Sequence, residues 1–349
     1  MDLFLPIVPD RSFHRNFSAV LAPFRKAERE LLNEWAEGFP DRDGKIVREF
    51  QTTFNSTFWE IYLYACLKAY ASDFDWSHAS PDFCARCRNI DLAIEATTAN
   101  AADGKPNEWD RAFSEEELRA LRILKRLNTE AIVRLSNAIL GKARKYEKSY
   151  SKMEHVKGKP FVIAVAPFEQ PHFNLQYDRP IRALLYDYYV DEDAYLENPK
   201  AYPHGPPVVH LGTVEKENGA EVPLGIFNNK SYSEVSAVVF SCTATWGKLS
   251  AMSTNPLTDT IVVSLWGTEP NGAPVRREVP RSQHHETVLD GLQVYHNPFA
   301  RVPLPHEVFH APGVVQLYAD DKVPGKWVFE NRGSALLYRQ VLATPKQRG

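Results

Sequence analysis

Two carboxylates close together in the chain are the residues whose types and spacing best suit catalysis. Asp82 follows Pro81, and Glu95 comes 13 residues later, within the run Ile94-Glu95-Ala96-Thr97. A carboxylate where one strand starts and a second on the next strand can meet at one point, where the Ala96 carbonyl would add a third hard oxygen. Such oxygen ligands suit Mg²⁺, or Mn²⁺ in its place. The ion would activate a water and neutralise charge on a phosphodiester in the transition state.

The same residues also have ordinary structural interpretations. Pro-Asp is common turn chemistry, so Asp82 could simply cap a turn. Thr97 is an unremarkable strand residue. Glu95 is more unusual, because a strand of small residues places an acid where burial is costly unless the charge is paired or holds a metal. The segment therefore favours a metal site, although two carboxylates do not name a substrate.

Other reactive residues lack the partners that their chemistry requires. Four cysteines are too few for a disulfide framework, and the Cys-x-x-Cys at Cys84 and Cys87 lacks the second ligand pair of a zinc ribbon. Side chains of the adjacent His284 and His285 point apart in any regular backbone. The sequence contains no Gly-x-Ser-x-Gly elbow, no Walker loop and no Gly-x-Gly-x-x-Gly. These absences remove the common nucleophile and nucleotide-binding schemes.

The patterns around the two acids predict the elements that must position them. Apolar residues at spacings of three and four predict helices over residues 24–37 and 45–70. Alternation predicts a strand over 88–98, with Asp91, Glu95 and Thr97 on a polar face. A capping box, Ser114 to Glu117, predicts the start of a helix that runs to about Tyr146. Apolar runs predict buried strands over 161–166, 234–242 and 260–266 and a short one over 291–295, which together indicate an α/β core.

Composition and charge limit the class of protein. The 349 residues are 44% hydrophobic and 24% charged, which is typical of a globular chain and excludes disordered, collagenous and coiled-coil classes. The sequence has no long apolar run and no basic segment before its apolar start, so we expect a cytoplasmic protein with no membrane partner. Although the net charge is −3, residues 119–159 carry 12 Lys or Arg and 3 Glu. This segment suits a phosphate-rich partner, or equally the solvated face of a helix.

Several short motifs resemble the PD-(D/E)xK nuclease superfamily, whose fold is that of restriction endonucleases. More narrowly, they resemble a bacterial branch in which a helix of the Phe-Trp-Glu-Leu-Tyr-Leu type precedes a Pro-Asp-Phe. The resemblance covers about residues 50–166, and the later part of the chain matches only in short, scattered motifs. The motifs that carry it are Phe58-Trp59-Glu60-Ile61-Tyr62-Leu63, Pro81-Asp82-Phe83, Ile94-Glu95-Ala96-Thr97, Val235-Ser236-Ala237-Val238-Val239-Phe240 and His296-Asn297-Pro298.

The resemblance implies roles for particular residues. Asp82 and Glu95 would be metal ligands, and Glu60 would match an acid of the preceding helix that touches the metal directly or through water. Thr97 departs from the pattern, which has a lysine at this position. Either that lysine function has moved to Lys142 or Lys145, three residues apart on the next helix, or the site has lost its catalytic power and only binds. Without the resemblance, Glu60 and both lysines could be ordinary surface residues of helices.

The expected architecture is a restriction-endonuclease-like mixed sheet flanked by helices. We predict an N-terminal helical segment over residues 1–45, a nuclease core over 46–270 and a C-terminal extension over 271–349. The predicted activity is metal-dependent hydrolysis of phosphodiester bonds, with DNA as substrate, and a homodimer would suit cleavage of both strands. The resemblance implies a role in bacterial defence or in control of mobile elements. The alternatives are a catalytically impaired protein of this fold that binds nucleic acid or a protein partner, and a metal-dependent hydrolase of small molecules.

Overall fold

The chain folds into a mixed α/β structure in which helices flank a large central sheet. The computed structural model describes residues 1–110, 123–269, 272–320, 322–323 and 325–346. The predicted capping box at Ser114 to Glu117 lies outside these residues. The helices of the described part are α1 (Arg15–Val20), α2 (Lys26–Trp35), α3 (Ile46–Thr52), α4 (Asn55–Ala69), α5 (Ile123–Lys148 as described), α6 (Arg179–Tyr186), α7 (Glu192–Glu197) and α8 (Trp246–Met252).

The strands of the described residues form one large sheet and three small ones. The central sheet has eight strands in the order β1-β2-β3-β4-β9-β12-β13-β14, a second sheet has the order β11-β10-β15, and β5-β6 and β7-β8 are separate pairs. The bounds are β1 (Asp73–Phe74), β2 (Phe83–Cys87), β3 (Ile90–Asn100), β4 (Phe161–Phe168), β5 (Tyr189–Val190), β6 (Val208–Val209), β7 (Thr213–Glu215), β8 (Glu221–Pro223), β9 (Ala237–Phe240), β10 (Thr258–Gly267), β11 (Val275–Pro280), β12 (Gln293–His296), β13 (Val315–Ala319), β14 (Trp327–Asn331) and β15 (Ala335–Pro345).

Strand β3 lies inside the central sheet and carries Glu95. It pairs antiparallel with β2 and parallel with β4, and β4 pairs parallel with β9. The predicted strand is present, but the prediction of a polar face was wrong for its central part. Leu92 to Ala96 are all buried, because helices α4 and α5 both pack against this strand. Glu95 is therefore an acid of the interior, with only 1% of its surface exposed.

The helical part of the chain differs from the prediction at one break. The helix expected over 24–37 is confirmed as α2, but the single helix expected over 45–70 is two helices, α3 and α4. They are separated at Phe54, whose backbone has φ +44° and ψ −65° and so cannot continue a right-handed helix. An aromatic residue at that position gives no sequence signal for a break.

The C-terminal part of the chain belongs to the sheets. The predicted boundary at residue 270 falls between β10 and β11, which are paired neighbours, and strands β12, β13 and β14 complete the central sheet. Of these, only a short strand over 291–295 was predicted, and it is observed as β12. The later strands were missed because their apolar runs are short and interrupted by polar residues.

Among the described residues, no helix is long and apolar enough to cross a membrane.

All four cysteines are free and buried, at positions 66, 84, 87 and 242. Burial raises the pKa of Cys66 and of Cys242 to about 12, so these thiols are poor nucleophiles at neutral pH.

Candidate active site

The β2–β3 hairpin brings Asp82 next to the middle of β3. Arg88 and Asn89 form the hairpin turn with positive φ, and the register places Phe83 opposite Ile94. Asp82 immediately precedes this pair. Its carboxylate Oδ2 accepts a hydrogen bond of 2.7 Å from the backbone N–H of Ala96. The side chain of Asp82 thus accepts the hydrogen bond that a further residue of β2 would have accepted from β3. This contact holds Asp82 beside Glu95.

Glu95 is buried and bound by two lysines of helix α5. Its Oε1 accepts hydrogen bonds from Lys142 Nζ at 2.8 Å and from Lys145 Nζ at 2.9 Å. The lysines are three residues apart and therefore lie on the same side of the helix. A buried carboxylate needs such partners, because desolvation of an unpaired charge is costly. The side chains of Lys142 and Lys145 remain 26% and 47% exposed, so both ammonium groups can also face a ligand.

The two carboxylates titrate in opposite directions although they are neighbours. Burial and the nearby charge of Glu95 raise the pKa of Asp82 to about 6, against the opposing effects of the Ala96 N–H and the two lysines. Burial alone would raise the pKa of Glu95, but Lys142 and Lys145 outweigh burial and lower it. Glu95 is thus the permanent anion, and Asp82 the acid that feels its charge.

Each carboxylate keeps one oxygen available for a cation. Among the described residues, Glu95 Oε2 is buried without a hydrogen-bond partner, and Asp82 Oδ1 accepts no hydrogen bond from another residue. Two carboxylate oxygens with room for water suit Mg²⁺, which keeps several waters and takes one or two carboxylates from a protein. The residues present therefore fit such an ion.

Glu60 lies close enough to Asp82 for their charges to interact, but it does not complete a ligand set. Burial and the charges of Asp82 and Glu49 raise the pKa of Glu60 to about 8. Within the described ranges, no group of three or more His, Cys, Asp or Glu side chains is placed to hold a metal ion. In this arrangement Glu60 is a neighbouring acid of Asp82, and its raised pKa favours the protonated form near neutral pH.

Thr97 lies two residues after Glu95, on the same side of β3. It is half-buried, and its hydroxyl carries no charge. The positive charge next to Glu95 comes from Lys142 and Lys145 of helix α5 instead. The structure thus brings together Asp82, Glu95 and both candidate lysines, and it leaves Thr97 as a neutral neighbour.

Sequence reasoning missed the residues that hold the Asp82 loop. Arg42 donates from Nη1 to the carbonyl of His78 at 2.8 Å and from Nη2 to the carbonyl of Asp82 at 3.2 Å. On the other side, His155 Nε2 lies 2.7 Å from the Ser80 carbonyl. These residues act on backbone atoms from distant parts of the chain, so no motif or spacing announces them.

Tyr150 was also missed, although it follows the lysines closely. The ammonium of Lys145 lies 4.9 Å from the centre of its ring, which is within range of a cation–π contact. The ring is almost completely buried. It helps to fix the position of Lys145, and an aromatic residue just after a lysine-rich helix end is the only sequence signal for it.

No protein-family model, curated protein or solved structure matches this chain.

Proposed function

We propose that this protein is a Mg²⁺-dependent nuclease with a restriction-endonuclease-like core, in which Mn²⁺ can replace Mg²⁺, and that its substrate is DNA. One observation carries the proposal. Glu95, a buried carboxylate bound by two accessible lysines, lies beside Asp82, and each acid has one oxygen that accepts no hydrogen bond from the described residues. The mixed central sheet flanked by helices supports the fold assignment.

The proposed roles follow from the position of each group. Asp82 and Glu95 would hold the ion, with the Ala96 carbonyl as a further oxygen ligand. A bound divalent ion lowers the pKa of a water and stabilises charge on a phosphate. Lys142 and Lys145 face the same point, so their ammonium groups would neutralise the negative charge that develops on the phosphate oxygens as water attacks phosphorus and the P–O bond breaks. Glu60, protonated at neutral pH, would donate a hydrogen bond to a water at this point.

The experiment compares metal-dependent cleavage in two matched variants. Supercoiled plasmid, single-stranded DNA and RNA are incubated with the protein in Mg²⁺, Mn²⁺ or EDTA. We expect DNA cleavage that requires metal and is lost in Asp82→Asn, which preserves shape but removes the charge. Asp103→Asn, an exposed acid of a surface turn, is the control and should cleave normally. Cleavage that persists in EDTA or in Asp82→Asn would contradict the proposal.

A second function is favoured by the ion pairs that Lys142 and Lys145 form with Glu95. Thr97 supplies no cation, and Lys142 and Lys145 are both bound to the same oxygen of Glu95, which partly neutralises them. A protein of this fold that binds nucleic acid without cutting it would have these properties. It predicts no cleavage, affinity for DNA that falls steeply with salt, and binding that Asp82→Asn leaves unchanged or improves.

A further inference from the structure

A cavity of about 280 Å³ lies away from the carboxylate and lysine site, beyond the carboxyl ends of three parallel strands. Segments that follow β3, β4 and β9 all contribute to its wall, and the start of helix α4 closes one side. The carboxyl edge of parallel strands is where α/β proteins commonly bind ligands. The cavity volume lies just below the ~300–1,000 Å³ range of small-molecule pockets.

The walls of this cavity are aromatic. The rings of Phe54 and Phe58 are nearly parallel, with centres 5.8 Å apart, and Trp246 lies 6.2 and 6.3 Å from them. Flat apolar walls suit a planar ligand, because aromatic rings stack favourably on one another. We call this cavity the aromatic pocket. Its aromatic side chains are Phe54, Phe58, Trp109, Phe168, Phe173 and Trp246.

One side of the aromatic pocket is polar and presents hydrogen-bond acceptors. The side-chain amides of Asn16 and Asn55 donate to Glu108 Oε1 at 2.9 and 2.8 Å, which fixes the carboxylate. Glu108 Oε2 and Asn16 Oδ1 accept no hydrogen bond from another described residue. Arg25 also lines the pocket, and its Nη1 is bound to Glu28 and Ser250. The pocket therefore offers acceptors at one side and a cation at another.

Backbone strain is located at the same place. Phe54, whose ring forms part of the wall, has φ +44° and ψ −65°, a conformation that a bulky side chain rarely adopts. Such strain tends to occur where a side chain must be held for binding. The strained residue thus adds an independent observation to the cavity and its polar side.

We propose that the aromatic pocket binds a nucleobase that carries an amino group. The base would stack against the aromatic walls, and its amino group would donate to Glu108 and Asn16. A quaternary ammonium fits less well, since it donates no hydrogen bond to these acceptors and would lie near Arg25. The base comes either from a free nucleotide or from an unstacked position of a nucleic-acid strand. The inference goes beyond the proposed nuclease function and does not depend on it.

Binding of four free probes, and of choline for comparison, is tested by calorimetry and by quenching of tryptophan fluorescence. The free probes are AMP, CMP, UMP and ribose 5-phosphate. We expect AMP and CMP to bind and UMP to bind about tenfold more weakly, because uracil presents a carbonyl where cytosine presents an amino group. Ribose 5-phosphate should not bind. The proposal would be overturned if ribose 5-phosphate bound as tightly as AMP and CMP, or if choline bound and none of the nucleotides did.

A second arm distinguishes the two sources of the base. Single-stranded DNA decamers are compared with and without a central abasic position, in the presence of EDTA. Weaker binding of the abasic decamer than of the intact one indicates a base of a strand, and equal binding of the two decamers together with binding of AMP or CMP indicates a free nucleotide. If the variants described below bind nucleotides and decamers as tightly as the unchanged protein does, the aromatic pocket is not a base site.

The variants connect binding to the aromatic pocket. Glu108→Gln and Trp109→Leu should each weaken AMP binding about tenfold, the loss expected for one good hydrogen bond or stacking contact. Glu221→Gln, an exposed acid of β8, is the control and should bind normally. Asp82→Asn should also bind AMP normally, so failure of the nuclease proposal and failure of this one give different results. Thermal unfolding of each variant confirms that it is folded.

Discussion

At the scale of single residues, the site is organised around Glu95. The residue is buried, yet its carboxylate is kept ionised by two lysines at 2.8 and 2.9 Å. The strand carries Thr97 where the resembled motif has a lysine, and the cations beside Glu95 come from a helix about 50 residues later in the chain. A tertiary contact thus supplies the charge that the strand itself lacks at Thr97.

The first prediction concerns these lysines. Lys142→Ala and Lys145→Ala should each lower the rate of metal-dependent DNA cleavage by about 10²–10³, the effect of removing one electrostatic stabiliser of the transition state. Lys148→Ala, at the exposed end of the same helix, should change the rate less than twofold. Rates are measured at saturating Mg²⁺ on supercoiled plasmid. Full activity in both site variants would show that the lysines only neutralise Glu95.

A second prediction concerns Thr97. Since Thr97 lies on the same side of β3 as Glu95, Thr97→Lys would place an ammonium group next to that carboxylate. We expect the double variant to cleave DNA at least tenfold faster than Lys142→Ala alone. The double variant is compared with Lys142→Ala and with Thr97→Gln combined with Lys142→Ala, which adds length without charge. Equal rates in the two double variants would show that charge at position 97 is irrelevant.

At the scale of elements, the loop before β2 decides where Asp82 lies. Arg42 connects two carbonyls of this loop, and His155 holds a third. The rings of His78 and His155 are stacked, with centres 3.6 Å apart, which adds a second connection to the segment after helix α5. The loop is thus held from both sides by residues that do not themselves touch the carboxylates.

The third prediction is that Arg42 acts by positioning. Arg42→Lys keeps the charge but cannot reach both carbonyls at once, because the ammonium group is compact. We expect the Mg²⁺ concentration for half-maximal cleavage to rise about tenfold, with a smaller change in the rate at saturating Mg²⁺. Arg48→Lys, an exposed arginine of helix α3, is the matched control. A loss of rate that Mg²⁺ does not rescue would contradict a positioning role.

The fourth prediction concerns the end of strand β4. Glu169 is completely buried, neither of its oxygens has a hydrogen-bond partner within the described part of the chain, and burial raises its pKa to about 8. The folded state therefore keeps a proton that the unfolded chain releases near its ordinary pKa of 4.5. Its stabilising contribution is complete below pH 4.5 and is lost as the pH rises to about 8, by about 1.4 kcal/mol per pH unit.

Glu169→Gln removes this titration. The variant should match the original protein in its free energy of unfolding near pH 4 and exceed it by a few kcal/mol at pH 7.5. Urea unfolding at the two pH values measures the difference, and Glu147→Gln, an exposed acid, is the control. A variant that is no more stable at pH 7.5 would mean that Glu169 is ionised in the folded protein.

At the scale of the whole molecule, a buried ionic cluster joins the central sheet to the second sheet. Glu286 Oε1 accepts hydrogen bonds from Lys248 of α8 at 2.7 Å and from Arg339 of β15 at 2.5 Å. Its Oε2 lies 2.9 Å from His284 Nε2. Arg339 also donates to the carbonyl of Thr243, in the loop after β9. Burial would raise the pKa of Glu286, but Arg339 and Lys248 outweigh it and lower the pKa to about 2.

The fifth prediction is that this cluster limits stability in acid. The contribution of Glu286 is present above its ordinary pKa of about 4.5 and is lost as the pH falls to about 2. Glu286→Gln should lower the free energy of unfolding at pH 7 by about 3–5 kcal/mol, because two cations remain buried without their partner. The difference should shrink at pH 3 when unfolding is measured in urea. An equal difference at both pH values would show that its charge is not responsible.

The sequence by itself determined the α/β class, the positions of β3 and β4, and the pairing of Asp82 with Glu95. These properties depend on local periodicity and on residues 13 apart in one hairpin. Only the tertiary structure decided that β3 is buried on both faces, that the helix over 45–70 breaks at Phe54, and that the later strands join the central sheet. It alone placed Lys142 and Lys145 on Glu95 and Arg42 on the Asp82 loop. Such contacts join residues about 40–50 positions apart, and no local propensity encodes which distant side chain will neutralise a buried charge.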